Sequence, residues 1–156
     1  MSNWLADILL QNKKDRIPSV IRRFGTADAT LSRDTITVEG AAWLVEAKED
    51  QVVRLFEVAA PDAEVEQCLL TYRASLKSED LKGRAFLEMW CRFPGRGEFF
   101  SRGLNQPLKG TTAWTSHETP FRLKKGQRPD LIKLNLAVEG RGKIWITDVE
   151  LLKMPR

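Results

Sequence analysis

Apolar residues recur at helical spacing near the start of the chain and alternate with polar ones through most of the rest. Trp4, Leu5, Ile8 and Leu9 fall on one face of a helix over residues 3–14, the mark of an amphipathic segment. Ser2 or Asn3 supplies its N-cap, and Lys13 and Lys14 lie where the C-terminal dipole favours cations. Pro18 and Gly25 are placed to open and close a second short helical turn. Residues 1–33 thus form a predicted helical extension.

From about residue 35 the helical period is gone. Asp34–Glu39 (DTITVE), Ala42–Ala47 (AWLVEA), Val52–Ala59 (VVRLFEVA), Gln67–Leu76, Arg84–Phe93 and Glu98–Leu104 are β-rich runs. Breaks fall at Gly40, at Lys48–Gln51 and around Pro61. The last quarter adds Gly110–Leu123 (GTTAWTSHETPFRL), Leu131–Val138 (LIKLNLAV) and Gly140–Leu152 (GRGKIWITDVELL). About nine or ten short strands, spaced roughly 8–12 residues apart, predict an all-β sandwich over residues 34–156. Little in this stretch has the pattern of a crossover helix, which argues against a parallel α/β sheet.

The alternation also predicts faces. With a turn centred near Glu79–Asp80, Gln67–Leu76 and Arg84–Phe93 form a hairpin. Cys68 then faces Cys91, Leu70 faces Met89, Tyr72 faces Leu87 and Ala74 faces Ala85, which gathers one apolar face. The opposite face carries Thr71, Arg73, Glu88, Trp90 and Arg92, with Leu69 and Phe86 beside them. The turn Pro94-Gly95-Arg96-Gly97 places Trp90 near Ser101 and Arg92 near Phe99. In the next alternating run Ile132, Leu134, Leu136 and Val138 point inward, and Lys133, Asn135, Ala137 and Glu139 point outward.

Composition narrows the function classes. The 156 residues carry a formal charge of +4, with 42% hydrophobic and 29% charged positions, ordinary values for one globular domain. The cations are scattered among acids, so no dense basic stripe points to nucleic acid. No apolar run approaches the roughly 20 residues of a membrane span. The N-terminal stretch has no basic region before its short apolar part, and Asp7 interrupts it. It is therefore not a signal peptide in form, and a cytoplasmic location is expected. Cys68 and Cys91 are too few for a disulfide framework, and with His117 alone they are too few for a metal cluster. Two buried thiols are expected.

Catalytic motifs are missing. His117 is the single histidine and stands beside no nucleophile motif, phosphate loop or metal-ligand set. A binding function is expected instead of an enzyme. Apolar platforms with a few placed polar groups make ligand sites. On the predicted outer face Trp90 is the platform candidate, and Arg73, Glu88, Arg92, Lys133 and Asn135 are the polar candidates. Arg73/Glu88 and Arg92/Glu88 are also placed for cross-strand ion pairs. The segment Phe99–Gln106 is a candidate binding edge, because adjacent Phe99 and Phe100 must point to opposite sides of a strand and Arg102, Asn105 and Gln106 add donors.

The last three strands, with Tyr72–Lys77 (YRASLK) and Gly83–Trp90 (GRAFLEMW), resemble the galactose-binding-like domain superfamily, to which many carbohydrate-binding modules belong. Trp114 and Phe121 match a Trp, short strand and Pro-Phe pattern. Gly140, Gly142, Trp145, Asp148, Val149 and Leu151 match a Gly-x-Gly turn and closing strand. The resemblance implies a jelly-roll sandwich of two antiparallel sheets and a non-catalytic carbohydrate or glycoconjugate ligand. It also admits a structural calcium with Asp148 among its ligands, although Thr147 stands where many relatives have a second Asp. No other cofactor is implied. Accessory domains of this fold without a sugar ligand leave a second reading open. That reading is an intracellular protein-interaction or assembly domain that dimerises or docks through the Trp4/Leu5/Ile8/Leu9 face.

Overall fold

The computed structural model describes residues 17–59, 61 and 65–155. The helix expected over residues 3–14 lies outside them. Eight strands follow: β1 (Ser19–Phe24), β2 (Ile36–Glu39), β3 (Ala42–Ala47), β4 (Gln51–Ala59), β5 (Cys68–Phe93), β6 (Gly97–Arg102), β7 (Leu108–Arg122) and β8 (Leu131–Pro155). The second helical turn expected at Pro18–Gly25 is instead β1, which pairs antiparallel with β8 from Ser19↔Lys153 to Phe24↔Val149. Ser-Val-Ile-Arg-Arg-Phe is β-branched at its start, and pairing along an open strand edge overrides the local turn signals.

β5 and β8 are the frame. They pair antiparallel along almost their whole length, from Cys68↔Pro155 to Arg92↔Leu131. The predicted hairpin between residues 67–76 and 84–93 therefore does not form; the two runs are halves of one strand. Likewise Gly140–Gly142 is not a turn between strands but lies within continuous β8. The doubled ribbon folds over at Asp80–Gly83 and Gly140–Gly142, where the register shifts between Glu79 and Lys82. Straight, the run from Cys68 to Cys91 would be roughly 75 Å long at about 3.3 Å per residue. Yet Cys68 is near enough to add electrostatically to the burial that pushes the Cys91 thiol up to about 12.

Folding over makes the expected jelly-roll sandwich. In one layer β4, residues 131–139 of β8, residues 84–93 of β5 and β6 lie side by side. In the other, β7, residues 68–79 of β5 and residues 143–155 of β8 continue into β3 and β1, with β2 paired to β3. Aromatic contacts lock the layers: Phe24 stacks on Phe56 at 4.0 Å and Trp43 meets Phe56 edge-on at 5.5 Å.

The inward sets are as the alternation predicted. Leu70, Tyr72, Leu76, Leu87, Met89, Ile132, Leu134 and Leu136 are among the fully buried side chains. Each of the aliphatic side chains contributes roughly 1.5–3 kcal/mol on burial, whereas the Tyr72 hydroxyl is buried without a partner, which offsets part of that residue's gain. The two cysteines are free thiols in this core.

One strand changes parity partway. Ile144 and Ile146 face inward, and so do Val149 and Leu151. The extra residue is Asp148, exposed and at φ 53, opposite the register shift between Arg73 and Ser75. This is a β-bulge with an Asp in the left-handed region, which short polar side chains tolerate.

Candidate functional site

The outer face of the β4–β8–β5–β6 layer is built by register. Glu88 lies between Asn135 of β8 and Arg102 of β6, and Trp90 lies between Lys133 and Phe100. Arg92 lies between Leu131 and Glu98. β4 adds Arg54 opposite Asn135 and Glu57 opposite Lys133, with a bulge between Arg54 and Phe56 that buries both Leu55 and Phe56.

Glu88 is the centre of this arrangement. It is only 3% exposed, and a buried carboxylate must be matched by donors. Its Oε1 accepts hydrogen bonds from Trp90 Nε1 at 2.8 Å and Asn135 Nδ2 at 3.3 Å; its Oε2 accepts from Arg102 Nε at 2.8 Å. Both oxygens are engaged, and Glu88 holds these three neighbours in place. The Trp90 indole is held by its N–H and lies 4.9 Å from the Phe100 ring, tilted 51°. Phe100 is half exposed, and the Arg102 guanidinium carbon lies 4.2 Å from its centroid. The result is an aromatic ledge with a stacked cation, fixed from beneath by one carboxylate.

The other charges on this face pair off. Lys133 bonds Glu98 at 2.8 Å, Arg92 bonds Asp130 at 2.9 Å, Arg54 bonds Glu57 at 3.1 Å and Arg84 bonds Glu139 at 2.6 Å. The hydrogen bond from Arg92 holds the Asp130 carboxyl below its usual range. Exposed pairs of this kind contribute only ~0–1 kcal/mol each. Their main effect here is to leave the face without net charge.

Five of the residues singled out in the sequence thus share one face: Trp90, Glu88, Arg92, Lys133 and Asn135. Arg73 does not. It lies in the other layer, opposite Glu150, with Nη2 3.6 Å from that carboxylate. The expected Arg73/Glu88 and Arg92/Glu88 ion pairs are replaced by Arg73–Glu150, Arg102–Glu88 and Arg92–Asp130. The β5–β6 register is also one residue off the expected one: Trp90 pairs with Phe100 and Arg92 with Glu98. Phe99 and Phe100 do point to opposite sides, yet both are about half exposed because β6 is an edge strand. Phe100 was legible as a ledge residue only once this register was known.

Asp148 is not gathered with other ligands. Among the described residues there is no group of three or more His, Cys, Asp or Glu side chains placed to hold a metal ion. Calcium takes about six to eight oxygens, carboxylates prominent among them, and the neighbouring Thr147 hydroxyl is donated to the Ala41 carbonyl at 2.7 Å. The residues around Asp148 fit the bulge better than the ion.

A cleft of about 420 Å³ opens between β6 and β7, lined by Leu87, Arg102, Gln106, His117 and Glu118 among others. His117 is buried, with Nδ1 3.1 Å from the Gln106 carbonyl oxygen, and burial lowers its pKa. The Gln106 carbonyl requires the proton on Nδ1. Ser116, adjacent to His117 in the chain, also lines the cleft.

No protein-family model matches the chain, and no curated protein matches it in sequence. Its fold does match solved structures. A xylan-binding family 22 carbohydrate-binding module from Paenibacillus barcinonensis superposes with a TM-score of 0.56 at 10% identity, covering 90% of this chain and 98% of that one. A family 29 carbohydrate-binding module from Piromyces equi gives 0.50 at 10% identity, over 88% and 90%. A mutant of a second family 29 module, complexed with mannohexaose, gives 0.50 at 13% identity, over 89% and 92%. The fold is therefore the jelly-roll β-sandwich of carbohydrate-binding modules.

Proposed function

We propose that this chain is a non-catalytic carbohydrate-binding module that takes a glycan on the outer face of the β4–β8–β5–β6 layer. The observation that carries the proposal is the Trp90–Phe100 ledge held by buried Glu88. A pyranose presents an apolar face that packs on an indole, and a platform fixed in advance loses little entropy on binding. Arg92, Lys133 and Arg102 stand around the ledge as hydrogen-bonding groups for hydroxyls, while Asn135 is buried beside Glu88 and helps to hold it. Five cations on this face are each answered by a carboxylate, which suits a neutral sugar better than an acidic one. The likeness in fold to modules described as binding xylan or complexed with mannohexaose supports the same reading.

A glycan array tests it, with wild type beside Trp90→Ala and circular dichroism confirming that both fold. Selective binding by wild type, lost in Trp90→Ala, is expected. A folded wild type that binds no glycan would move the assignment to the assembly domain, and a concentration-dependent mass would then identify self-association.

A further inference from the structure

The outer face of the other layer carries a second aromatic cluster with different electrostatics. Lys77 lies directly opposite Trp145 in the β5–β8 register. Its Nζ is 4.8 Å from the Trp145 ring centroid and 6.0 Å from that of Trp114. Trp114 is 45% exposed, a large indole left in water on a sheet face. The backbone beside it is pinned, because Ser78 Oγ donates to the Gly110 carbonyl and Asp80 N–H donates to Thr111 Oγ1.

Charge separates this face from the first. Among the described residues no carboxylate lies within ion-pair distance of Lys77, and its ammonium sits against the two indole rings. Lys143, the next cation along this surface, has Glu46 at 3.9 Å and Glu79 opposite it in the register. Ring contacts place an ammonium but leave the N–H groups that point away from the rings available to an acceptor.

We infer that Trp114, Lys77 and Trp145 form a second binding site, on the sheet opposite the Trp90 ledge, for an acidic sugar. The exposed indole takes the apolar face of the pyranose, and the Lys77 ammonium takes its carboxylate or sulfate. This site stands on its own residues and does not require the Trp90 face to bind anything.

Affinity electrophoresis tests the inference in gels containing polygalacturonate, dextran sulfate, neutral dextran or polyglutamate. Retardation by at least one of the two acidic polysaccharides is expected, and the pair distinguishes carboxylate from sulfate. Trp114→Ala and Lys77→Met should each weaken it about tenfold or more. Trp90→Ala and Lys125→Met should leave it unchanged, the first because it alters the other face and the second because it removes an equal charge elsewhere. Three results overturn the site: retardation by neither acidic polysaccharide, equal weakening by Lys125→Met, or full retention by Lys77→Met. Equal retardation by polyglutamate would assign the patch to an acidic protein instead. Since Trp90→Ala removes only the first face, failure of one site is distinguishable from failure of the other.

Discussion

Gly83 of β5 and Gly140 of β8 stand opposite each other where the strand pair folds from one layer into the next. A Cβ on Gly83 would collide with the Glu139 carbonyl oxygen, and a Cβ on Gly140 with that of Lys82. Both have positive φ, 106° and 136°. Backbone meets backbone here, so no side chain can move aside. Gly140→Ala is expected to cost roughly 3 kcal/mol or more, read as a fall in urea midpoint, because clash and backbone strain add. An unchanged midpoint would mean that the fold-over is not the tight point of the sandwich.

Glu88 supplies the second test. Glu88→Ala leaves the Arg102 guanidinium, the Trp90 N–H and the Asn135 amide without their common acceptor. A loss of roughly 1–3 kcal/mol is expected, with a change in the near-ultraviolet circular dichroism of Trp90. Glu88→Gln keeps one acceptor oxygen and should fall between. If glycan binding survives Glu88→Ala intact, the carboxylate does not position the ledge.

The sequence alternation sorted inward from outward positions along β5 and the first half of β8, but the period of two breaks at the bulges beside Leu55 and at Asp148, where alternation alone gives no parity. Pairing itself was not legible. A hairpin and a folded-over strand put the same residues, Cys68 to Ala74 and Ala85 to Cys91, into the same core, so periodicity cannot separate them. The charged run before Gly83 has the composition of a turn, whereas the distant partner β8 turns it into continuous strand. Arg73 shows the consequence: it has the right parity but belongs to the other layer. Phe100 was hidden by a register error of one residue at the Pro94–Gly97 turn.

Asp148 gives opposed expectations for a bulge residue and a calcium ligand. As a bulge residue at φ 53, it should tolerate Asn, which adopts the left-handed region readily, whereas Asp148→Val should cost roughly 1–2 kcal/mol. Thermal midpoints of wild type in calcium and in a calcium chelator should coincide. A midpoint raised by calcium in wild type and unaffected in Asp148→Asn would place an ion there.

His117 sets the response to mild acid. Its ordinary pKa of 6.5 is lowered in the folded chain, chiefly by burial, with the Gln106 carbonyl opposing that shift. The unfolded chain therefore takes up the proton first. Stability is complete above about pH 6.5 and declines as pH falls from there toward the lower folded value. Asp130 and Glu66, both lowered by arginine partners, add their own losses only at the more acid pH where carboxylates titrate. Urea midpoints at pH 7.5 and 5.5 should thus differ in wild type and converge in His117→Gln, which keeps a donor for the Gln106 carbonyl without a titrating ring. An equal fall in both proteins would mean that His117 does not carry the acid sensitivity.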